Sequence, residues 1–199
     1  MTRSIANLRC LLVFFSALIF LGACEVPRER PFNGPISFSK LPKIKLNVAN
    51  IDVKRVYKAP LGFPNVEHEM PDQLLDAAER WAKDRLRAVG KYGVASLTID
   101  RASVVEVKLE KAGGIRGAFI IDQGERYDVV LSVGIEVLEA ASGGQAAART
   151  TVRASRTISE NATLAERERL WEHMNNEVMG EFNQDFEARI RRHLSAFLR

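Results

Sequence analysis

Hydrophobic and polar positions alternate in four segments of the chain, and each alternation predicts a strand with one buried face. The first segment covers 44–53, where the apolar positions change phase at 49–50, which predicts a bulge or a bend. Three later segments, at 95–109, 127–137 and 148–158, keep apolar side chains at every second position. We expect these three strands to form an antiparallel meander with one covered face and one solvated face.

Apolar residues spaced by three and four positions predict two helices. The first begins at Pro71, a residue favoured in the first turn, and is expected to end at Gly90. Its apolar stripe consists of Leu75, Ala78, Trp81, Ala82, Leu86 and Val89. The second helix begins with a capping box formed by Thr163 and Glu166. Its stripe consists of Leu170, Trp171, Met174, Val178, Met179, Phe182, Phe186, Ile190 and Leu194.

The far end of the second helix is expected to differ from the rest. A stripe with a constant spacing of four drifts round the helix, so Phe197 and Leu198 are predicted to leave the core. There they would either contact a partner or form a mobile terminus.

The order of the elements is therefore β-α-β-β-β-α. We predict a single two-layer α+β sandwich over residues 43–199, in which a four-stranded, mainly antiparallel sheet carries two helices on one face. The strand before the first helix must join the meander, either beside its first strand or beside its last strand.

Residues 1–23 follow a different pattern. Arg3 and Arg9 are the only charged residues before Glu25. The apolar run at 11–20 is too short to span a bilayer, which needs about 20 apolar residues. A short basic start followed by a short apolar run is typical of a signal peptide.

The segment Leu21-Gly22-Ala23-Cys24 resembles the lipobox of bacterial lipoproteins. The resemblance implies cleavage between Ala23 and Cys24, diacylation of the Cys24 thiol and acylation of the new amino terminus. Such an anchor is strong, since each buried CH₂ contributes about 0.8 kcal/mol. In enterobacterial lipoproteins an Asp after the cysteine marks retention in the inner membrane, so Glu25 favours the periplasmic face of the outer membrane. The alternative is an ordinary signal peptide followed by a chance cysteine.

Residues 24–42 are rich in proline and polar side chains, which predicts an extended tether between the lipid and the domain. At about 3.3 Å per residue, such a tether would hold the domain as far as roughly 50 Å from the membrane. Alternatively, the part from Ile36 onward packs on the domain as an edge segment.

Composition and charge exclude several classes of protein. With 46% hydrophobic and 27% charged residues, the chain is neither disordered nor a polytopic membrane protein. Loss of Arg3 and Arg9 with the signal peptide would reduce the 29 basic residues to 27, against 25 acidic residues. A balance so close to neutral predicts no nucleic-acid partner. Cys10 lies in the signal peptide and Cys24 carries lipid, so no thiol is left for catalysis, a disulfide or a metal.

The sequence also lacks the residues of common catalytic sites. His68, His173 and His193 are far apart, and no HExxH, GxSxG or phosphate-loop motif occurs. The glycines at 113–117 lie between two predicted strands, which favours a hairpin loop. We therefore expect no enzymatic activity, no metal and no cofactor.

The lipobox, the tether and the order of elements together resemble small periplasmic lipoproteins of envelope lipid transport. The nearest types are the ABC-type transport auxiliary lipoproteins and the lipopolysaccharide-assembly lipoprotein. The resemblance implies a non-enzymatic accessory subunit that binds a protein partner through the exposed sheet face or the loop at 113–117. The alternative is a carrier that holds a lipid between the sheet and the helix stripes at 75–89 and 174–190. A third hypothesis, a hydrolase or a cell-wall-binding enzyme, would make His173 the residue to test.

Overall fold

The structure is a computed structural model that describes residues 34–109, 123–138 and 144–199. Its strands are β1 (Ile44–Leu46), β2 (Asn50–Arg55), β3 (Leu86–Ala88), β4 (Val94–Lys108), β5 (Gln123–Leu138) and β6 (Gln145–Ser159). Its helices are α1 (Leu74–Arg85) and α2 (Leu164–His193), and short 3-10 turns cover Glu67–Glu69 and Ser195–Phe197.

Four strands form one sheet in the order β2-β4-β5-β6. Strands β4, β5 and β6 make the antiparallel meander that the alternation predicts. Strand β2 pairs in parallel with β4, so it takes the place beside the first strand of the meander. Both helices pack on the buried face of this sheet around one hydrophobic core. The prediction of a two-layer α+β sandwich is therefore confirmed.

The first predicted strand is split into two strands that belong to different sheets. Strand β1 pairs in parallel with β3 in a separate two-stranded sheet, whereas β2 joins the main sheet. The phase change at 49–50 lies between them. There the Ala49 N–H lies 3.1 Å from the Tyr92 carbonyl and 3.0 Å from the Gly93 carbonyl. The predicted bend is present, and it redirects the chain from one sheet to the other.

Helix α1 ends at Arg85 rather than at Gly90 as predicted, because the chain turns into β3. Leu86 is still buried, but Val89 of the predicted stripe is 45% exposed. Gly90 has a different role, since a Cβ atom at this position would lie 2.5 Å from the carbonyl carbon of Asn47. Only glycine permits so close an approach of the two backbones.

Strand β4 changes its buried face halfway along. Its register with β5 shifts between Ile99 and Arg101, which is a β-bulge. Up to Ile99 the odd positions are buried as predicted, but beyond the bulge Ala102 and Val104 face the core. The prediction that Val105 and the odd positions after it face inward is wrong, because one extra residue turns the strand over.

Helix α2 begins with the predicted capping box. The Thr163 hydroxyl accepts from the Glu166 N–H, and the Glu166 carboxylate accepts from the Thr163 N–H. The residues of the predicted stripe are buried from Trp171 to Leu194, and Leu170 is half-buried. The prediction that the far end leaves the core is wrong, since Phe197 is 7% exposed. The chain turns after α2 and runs beside β1, where the Asn47 N–H donates to the Phe197 carbonyl at 2.7 Å.

Aromatic rings fill the space between the two helices. The ring centroid of Trp81 in α1 lies 4.9 Å from that of Phe182 and 5.3 Å from that of Phe186, both in α2. The Trp81 indole N–H donates to Asn183 Oδ1 at 2.9 Å. All three rings are fully buried, so this part of the core is packed. Within the described ranges, neither helix is long and apolar enough to cross a membrane.

Candidate functional site

The predicted lipidation site lies outside the described residues. Leu21, Gly22, Ala23 and Cys24 belong to that part of the chain, as does the glycine loop at 113–117. Signal cleavage and lipid attachment therefore stay predictions from the sequence. The structure shows how the chain that follows joins the domain.

Residues 34–42 lie along α1, and we call this segment the strap. The Ile36 N–H donates to Asp72 Oδ2 at 3.1 Å, and the Phe38 N–H donates to Asp84 Oδ2 at 2.7 Å. The side chains of Ile36 and Phe38 pack against the core. The segment therefore packs on the domain from Ile36 onward, which is the alternative to a tether that stays free up to residue 42.

Asp72 and Arg80 clamp the backbone of the strap at Ile36. Both Asp72 carboxylate oxygens lie 2.5 Å from the Arg80 guanidinium, and Arg80 Nε donates to the Ile36 carbonyl at 3.1 Å. The Asp72 carboxylate is 8% exposed. A carboxylate buried to this extent is tolerated because it is paired and hydrogen-bonded. The clamp thus joins the start of the strap to the start of α1.

A groove of about 390 Å³ lies between the strap and α2. Residues 34–37, Pro71, Asp72, Trp171 and Asn175 line it. Trp171 Nε1 and Asn175 Oδ1 are buried and have no hydrogen-bond partner within the described residues, whereas Asn175 Nδ2 donates to the Asp72 carbonyl at 2.9 Å. One turn of α2 separates the free donor from the free acceptor, so a water molecule or a hydroxyl group is the chemistry that would satisfy them.

A second groove of about 520 Å³ lies between the end of β6 and the first turns of α2. Ile158 and Leu170 contribute apolar surface, and Arg169 and His173 lie among its polar lining residues. It is open to solvent.

The carboxylate of Glu67 fixes the loop before α1 to β4. It is 3% exposed and accepts from the Tyr57 hydroxyl, from Asn65 Nδ2 and from the Val104 N–H. Burial and the hydrogen bond to Glu67 raise the pKa of Tyr57 far above its ordinary value. Tyr57 is therefore a neutral hydrogen-bond donor and not a base.

Arg85 joins the end of α1 to both α2 and the strap. Its guanidinium is 1% exposed and pairs with the Glu187 carboxylate, and Nη1 donates to the Pro42 carbonyl at 2.6 Å. Glu187 also accepts from Arg191 Nε at 2.9 Å. These contacts give the buried charge a structural role.

Tyr127 is the second tyrosine with a shifted pKa. Its hydroxyl lies 3.2 Å from the carboxylates of Glu106 and Glu125 and accepts from Arg167 Nη1 at 2.7 Å. Burial first, and then the charge of Glu106, raise its pKa. The phenol stays protonated at neutral pH, so this network cannot supply a nucleophile or a base there.

The structure does not bring the three histidines together. His68 lies in the 3-10 turn before α1, with Nε2 3.7 Å from Glu69 Oε1. His173 and His193 are exposed on α2, and twenty residues of helix separate them by about 30 Å. In the part of the chain that the structure describes, no group of histidine, cysteine, aspartate and glutamate side chains is arranged to hold a metal.

The solvated face of the sheet is polar and partly paired within itself. Arg149 Nη1 lies 2.6 Å from Asp100 Oδ2. Asp128 accepts from Arg126 Nη2 at 2.9 Å and from the Ser155 hydroxyl at 2.7 Å. Exposed pairs of this kind contribute at most about 1 kcal/mol each. This face therefore offers charged pairs rather than an apolar surface to a partner.

Exposed apolar side chains lie instead in the loop between β2 and α1. Leu61 is 83% exposed, Phe63 is 67% exposed and Val56 is 59% exposed. Lys108 Nζ lies 5.5 Å from the centre of the Phe63 ring. We call Val56, Leu61 and Phe63 the apolar loop, and connecting segments of this kind are where binding residues are often found.

The sequence-based interpretation missed the buried polar positions. Arg85 follows Trp81 by four residues on the buried face of α1, so a charge at an apolar position was a visible signal. Trp171 and Asn175 share one face of α2 in the same way. The burial of Glu67 has no such signal, because it depends on a loop that folds back on β4.

No family model and no curated protein matches this chain. Among solved structures it is similar to rare lipoprotein B from Shewanella oneidensis, with 15% sequence identity and a TM-score of 0.37 over 70% of this chain and 94% of that chain. A minor lipoprotein from Acinetobacter baumannii has 14% identity and a TM-score of 0.36 over 74% of this chain and 96% of that chain. A DUF330 protein from Xanthomonas campestris has 10% identity and a TM-score of 0.30 over 76% of this chain and 95% of that chain. TM-scores this low do not establish a shared fold.

Proposed function

We propose that this chain is a bacterial envelope lipoprotein, anchored by acyl chains on Cys24 at the periplasmic face of the outer membrane. Within that location it acts as a non-enzymatic accessory subunit of a transport or assembly system, through contact with a protein partner. The observation that carries the anchor is the sequence Leu21-Gly22-Ala23-Cys24 directly after a short apolar run.

The docked strap supports a domain that works close to the bilayer. The ten residues Cys24 to Asn33 precede Gly34, where the strap begins. At about 3.3 to 3.6 Å per residue, they span at most roughly 35 Å. The reach of the anchor is thus shorter than the roughly 50 Å expected for a tether that stays free up to Pro42.

The anchor is tested by substitution of the two cysteines. Cells that express the full chain are labelled with radioactive palmitate, and the mass of the purified protein is measured. We expect the wild type and Cys10→Ser to carry label and the mass of the processed lipoprotein, because Cys10 lies in the removed peptide. Cys24→Ser should carry no label and remain unprocessed. Label on Cys24→Ser, or an unmodified wild type, would contradict the proposal.

The apolar loop supports the accessory role. Its exposed side chains lie on a connecting segment, while the buried polar groups of Tyr57, Glu67 and Tyr127 supply hydrogen bonds within the fold. A partner that covers Leu61 and Phe63 would remove their apolar surface from water, which is favourable by about 25 cal/mol for each Å².

The partner contact is tested by co-purification from detergent-solubilised envelopes. We expect the wild type to recover one envelope protein in stoichiometric yield, and the double variant Leu61→Ser/Phe63→Ser to recover much less. Leu164→Ser is the matched control, because Leu164 is equally apolar and 66% exposed but lies in the first turn of α2. A wild type that recovers no protein would count against an accessory subunit.

The lipid-carrier alternative finds less support in the core. An acyl chain between the layers would have to displace Trp81, Phe182 and Phe186, whose rings are in mutual contact and fully buried. Native mass spectrometry of the full chain distinguishes the two functions, since a carrier would retain a lipid beyond the acyl groups on Cys24.

A further inference from the structure

Three cations stand side by side on the small sheet of β1 and β3. Lys45 in β1 is the register partner of Arg87 in β3. On the other side of β1, Leu46 pairs with Leu198 in antiparallel fashion. The Arg199 N–H then donates to the Lys45 carbonyl at 3.1 Å. Neighbouring strands lie about 4.8 Å apart, so the three exposed side chains form a row about 10 Å long, which we call the cationic row.

The cationic row is not neutralised by its own domain. Within the described residues, none of its three side chains makes a hydrogen bond or an ion pair. Like charges opposite each other on neighbouring strands destabilise a sheet. Lys43 lies two residues before Lys45 on the same face, and its ammonium donates to the backbone carbonyl of Asp84. The row therefore costs stability without a compensating contact inside the fold.

Apolar side chains border the row. Val89 follows Arg87 by two residues along the extension of β3 and is 45% exposed. Its N–H donates to the Leu46 carbonyl at 2.9 Å, which holds it beside the row. Tyr92 lies farther along the same edge, in the turn before β4, where its carbonyl accepts from the Ala49 N–H at 3.1 Å, and it is 65% exposed. Cations next to an aliphatic and a tyrosine side chain match the boundary of a bilayer, where phosphates lie above acyl chains.

We propose that the cationic row, together with Val89 and Tyr92, docks the domain on an anionic phospholipid bilayer. The lysine and the two arginines bind lipid phosphates, and each arginine can offer two parallel N–H donors to one phosphate. Val89 and Tyr92 enter the headgroup region. An acidic protein is the competing partner, since arginine and tyrosine are enriched in protein–protein interfaces, but lysine is depleted there, whereas a phosphate-bearing surface suits all three cations.

The row does not depend on the proposed lipid on Cys24, but it would complement that lipid. The strap is clamped at Asp72, at the start of α1, whereas β3 and the row follow the end of α1. The two attachments are thus separated by the length of α1, which is about 18 Å for its 12 residues. A domain held at both places would lie with α1 along the membrane, because the lipid keeps the domain at the surface and the row selects the face that meets it.

The test uses the full chain with an environment-sensitive dye on Tyr92→Cys, reconstituted into vesicles of phosphatidylcholine alone or with phosphatidylglycerol at about 30%. We expect a blue shift of the dye emission in the anionic vesicles. The shift should be absent in the neutral vesicles and should disappear at about 0.5 M salt, which screens exposed charges. A dye on Leu164→Cys should show no difference between the vesicles.

The matched variants separate the row from general positive charge. Lys45→Gln/Arg87→Gln/Arg199→Gln removes the row, whereas Lys54→Gln/Arg101→Gln/Arg153→Gln removes as many exposed cations from the solvated face of the main sheet. Each cation near an anionic surface changes binding by about fivefold. The row variant should therefore weaken docking by roughly 100-fold, and the sheet-face variant should change it little.

Failure of the anchor is distinguishable from failure of the row. If Cys24 carries no lipid, the chain is added to preformed vesicles instead of being reconstituted. Binding is then measured by co-sedimentation, with the same two vesicle compositions and the same two triple variants. Equal behaviour in neutral and anionic vesicles, or equal losses in the two triple variants, would overturn the proposal in either format.

Discussion

The two helices pack on the same sheet but are held there by different contacts. Helix α2 buries a long apolar stripe that includes three aromatic residues, Trp171, Phe182 and Phe186. Helix α1 is 12 residues long and buries mainly Leu74, three alanines and Trp81. Its ends are fixed by charged side chains, Asp72 before the helix and Arg85 in its last turn.

The difference shows two ways of attaching a helix to a sheet. A long stripe stabilises α2 through burial of many apolar groups, each of which tolerates little change because the core is closely packed. A short alanine-rich helix buries less apolar area, so α1 depends more on hydrogen bonds and ion pairs with good geometry. Substitutions in α2 should therefore act through cavities, and those at the ends of α1 through unpaired polar groups.

The largest effect is expected for Phe182→Ala in α2. The substitution removes a fully buried ring that contacts both Trp81 and Phe186. Loss of such a ring leaves a cavity and should lower the free energy of unfolding by about 4 kcal/mol. Urea denaturation measures this change. Leu164→Ala on the same helix is the control, because Leu164 is 66% exposed and should cost less than about 0.5 kcal/mol.

The next effect concerns the buried pair between α1 and α2. Glu187→Gln leaves the Arg85 guanidinium, which is 1% exposed, without its carboxylate. An unpaired buried charge should lower the free energy of unfolding by about 3 kcal/mol.

Arg85→Met gives the reverse case. Methionine fills the site without a charge, and Glu187 keeps its contact with Arg191. We expect a loss of only about 1 kcal/mol, again from urea denaturation. A larger loss for Arg85→Met than for Glu187→Gln would mean that the hydrogen bond from Arg85 to the Pro42 carbonyl matters more than the ion pair with Glu187.

A comparably small stability effect in α1 is expected where the strap docks at Asp84. Asp84→Ala removes the acceptor of the Phe38 N–H and the Ser37 hydroxyl and should cost about 1 kcal/mol. Hydrogen exchange at the Phe38 amide should become faster. Asp76→Ala is the control on the same helix, since Asp76 is 44% exposed and contacts Arg55 instead. Unchanged exchange at Phe38 would show that apolar packing alone holds the strap.

The same contrast explains which elements could be predicted from the sequence. The stripe of α2 repeats over so many turns that only a helix fits it, and the capping box marks its start. After α1, Leu86 and Val89 fit both a continued helix and a short strand. Pairing of β3 with β1 decides between them, and this contact joins residues about forty positions apart, which local spacing cannot reveal.

Long-range contacts also explain the other differences. The bulge after Ile99 follows from the register with β5, and its one local sign is the adjacent polar pair Asp100 and Arg101, which interrupts the alternation of β4. Phe197 returns to the core because the chain turns and pairs beside β1. The cationic row arises in the same way, since Lys45, Arg87 and Arg199 come from three separate parts of the sequence. Prolines at 27–42 indicated an extended segment, but its docking depends on Asp72 and Asp84.

The smallest predicted effect concerns Asp185, a carboxylate on the charged surface of α2, and it depends on pH. The Arg189 guanidinium and then the Thr150 hydroxyl hold the pKa of Asp185 below its ordinary value. A carboxyl whose pKa is lower in the folded state stabilises the fold above its unfolded pKa, near 3.9, and loses this contribution as pH falls through the folded pKa. Asp185→Asn should therefore lie below the wild type in stability at pH 6, and the gap should close below about pH 4. Arg189→Gln should weaken the dependence of stability on pH in the same range, because it removes the main cause of the lowered pKa of Asp185. Urea denaturation of both variants is measured from pH 6 down to the lowest pH at which the protein still folds. If the dependence of stability on pH is the same for Asp185→Asn and the wild type, other carboxylates cause the acid sensitivity.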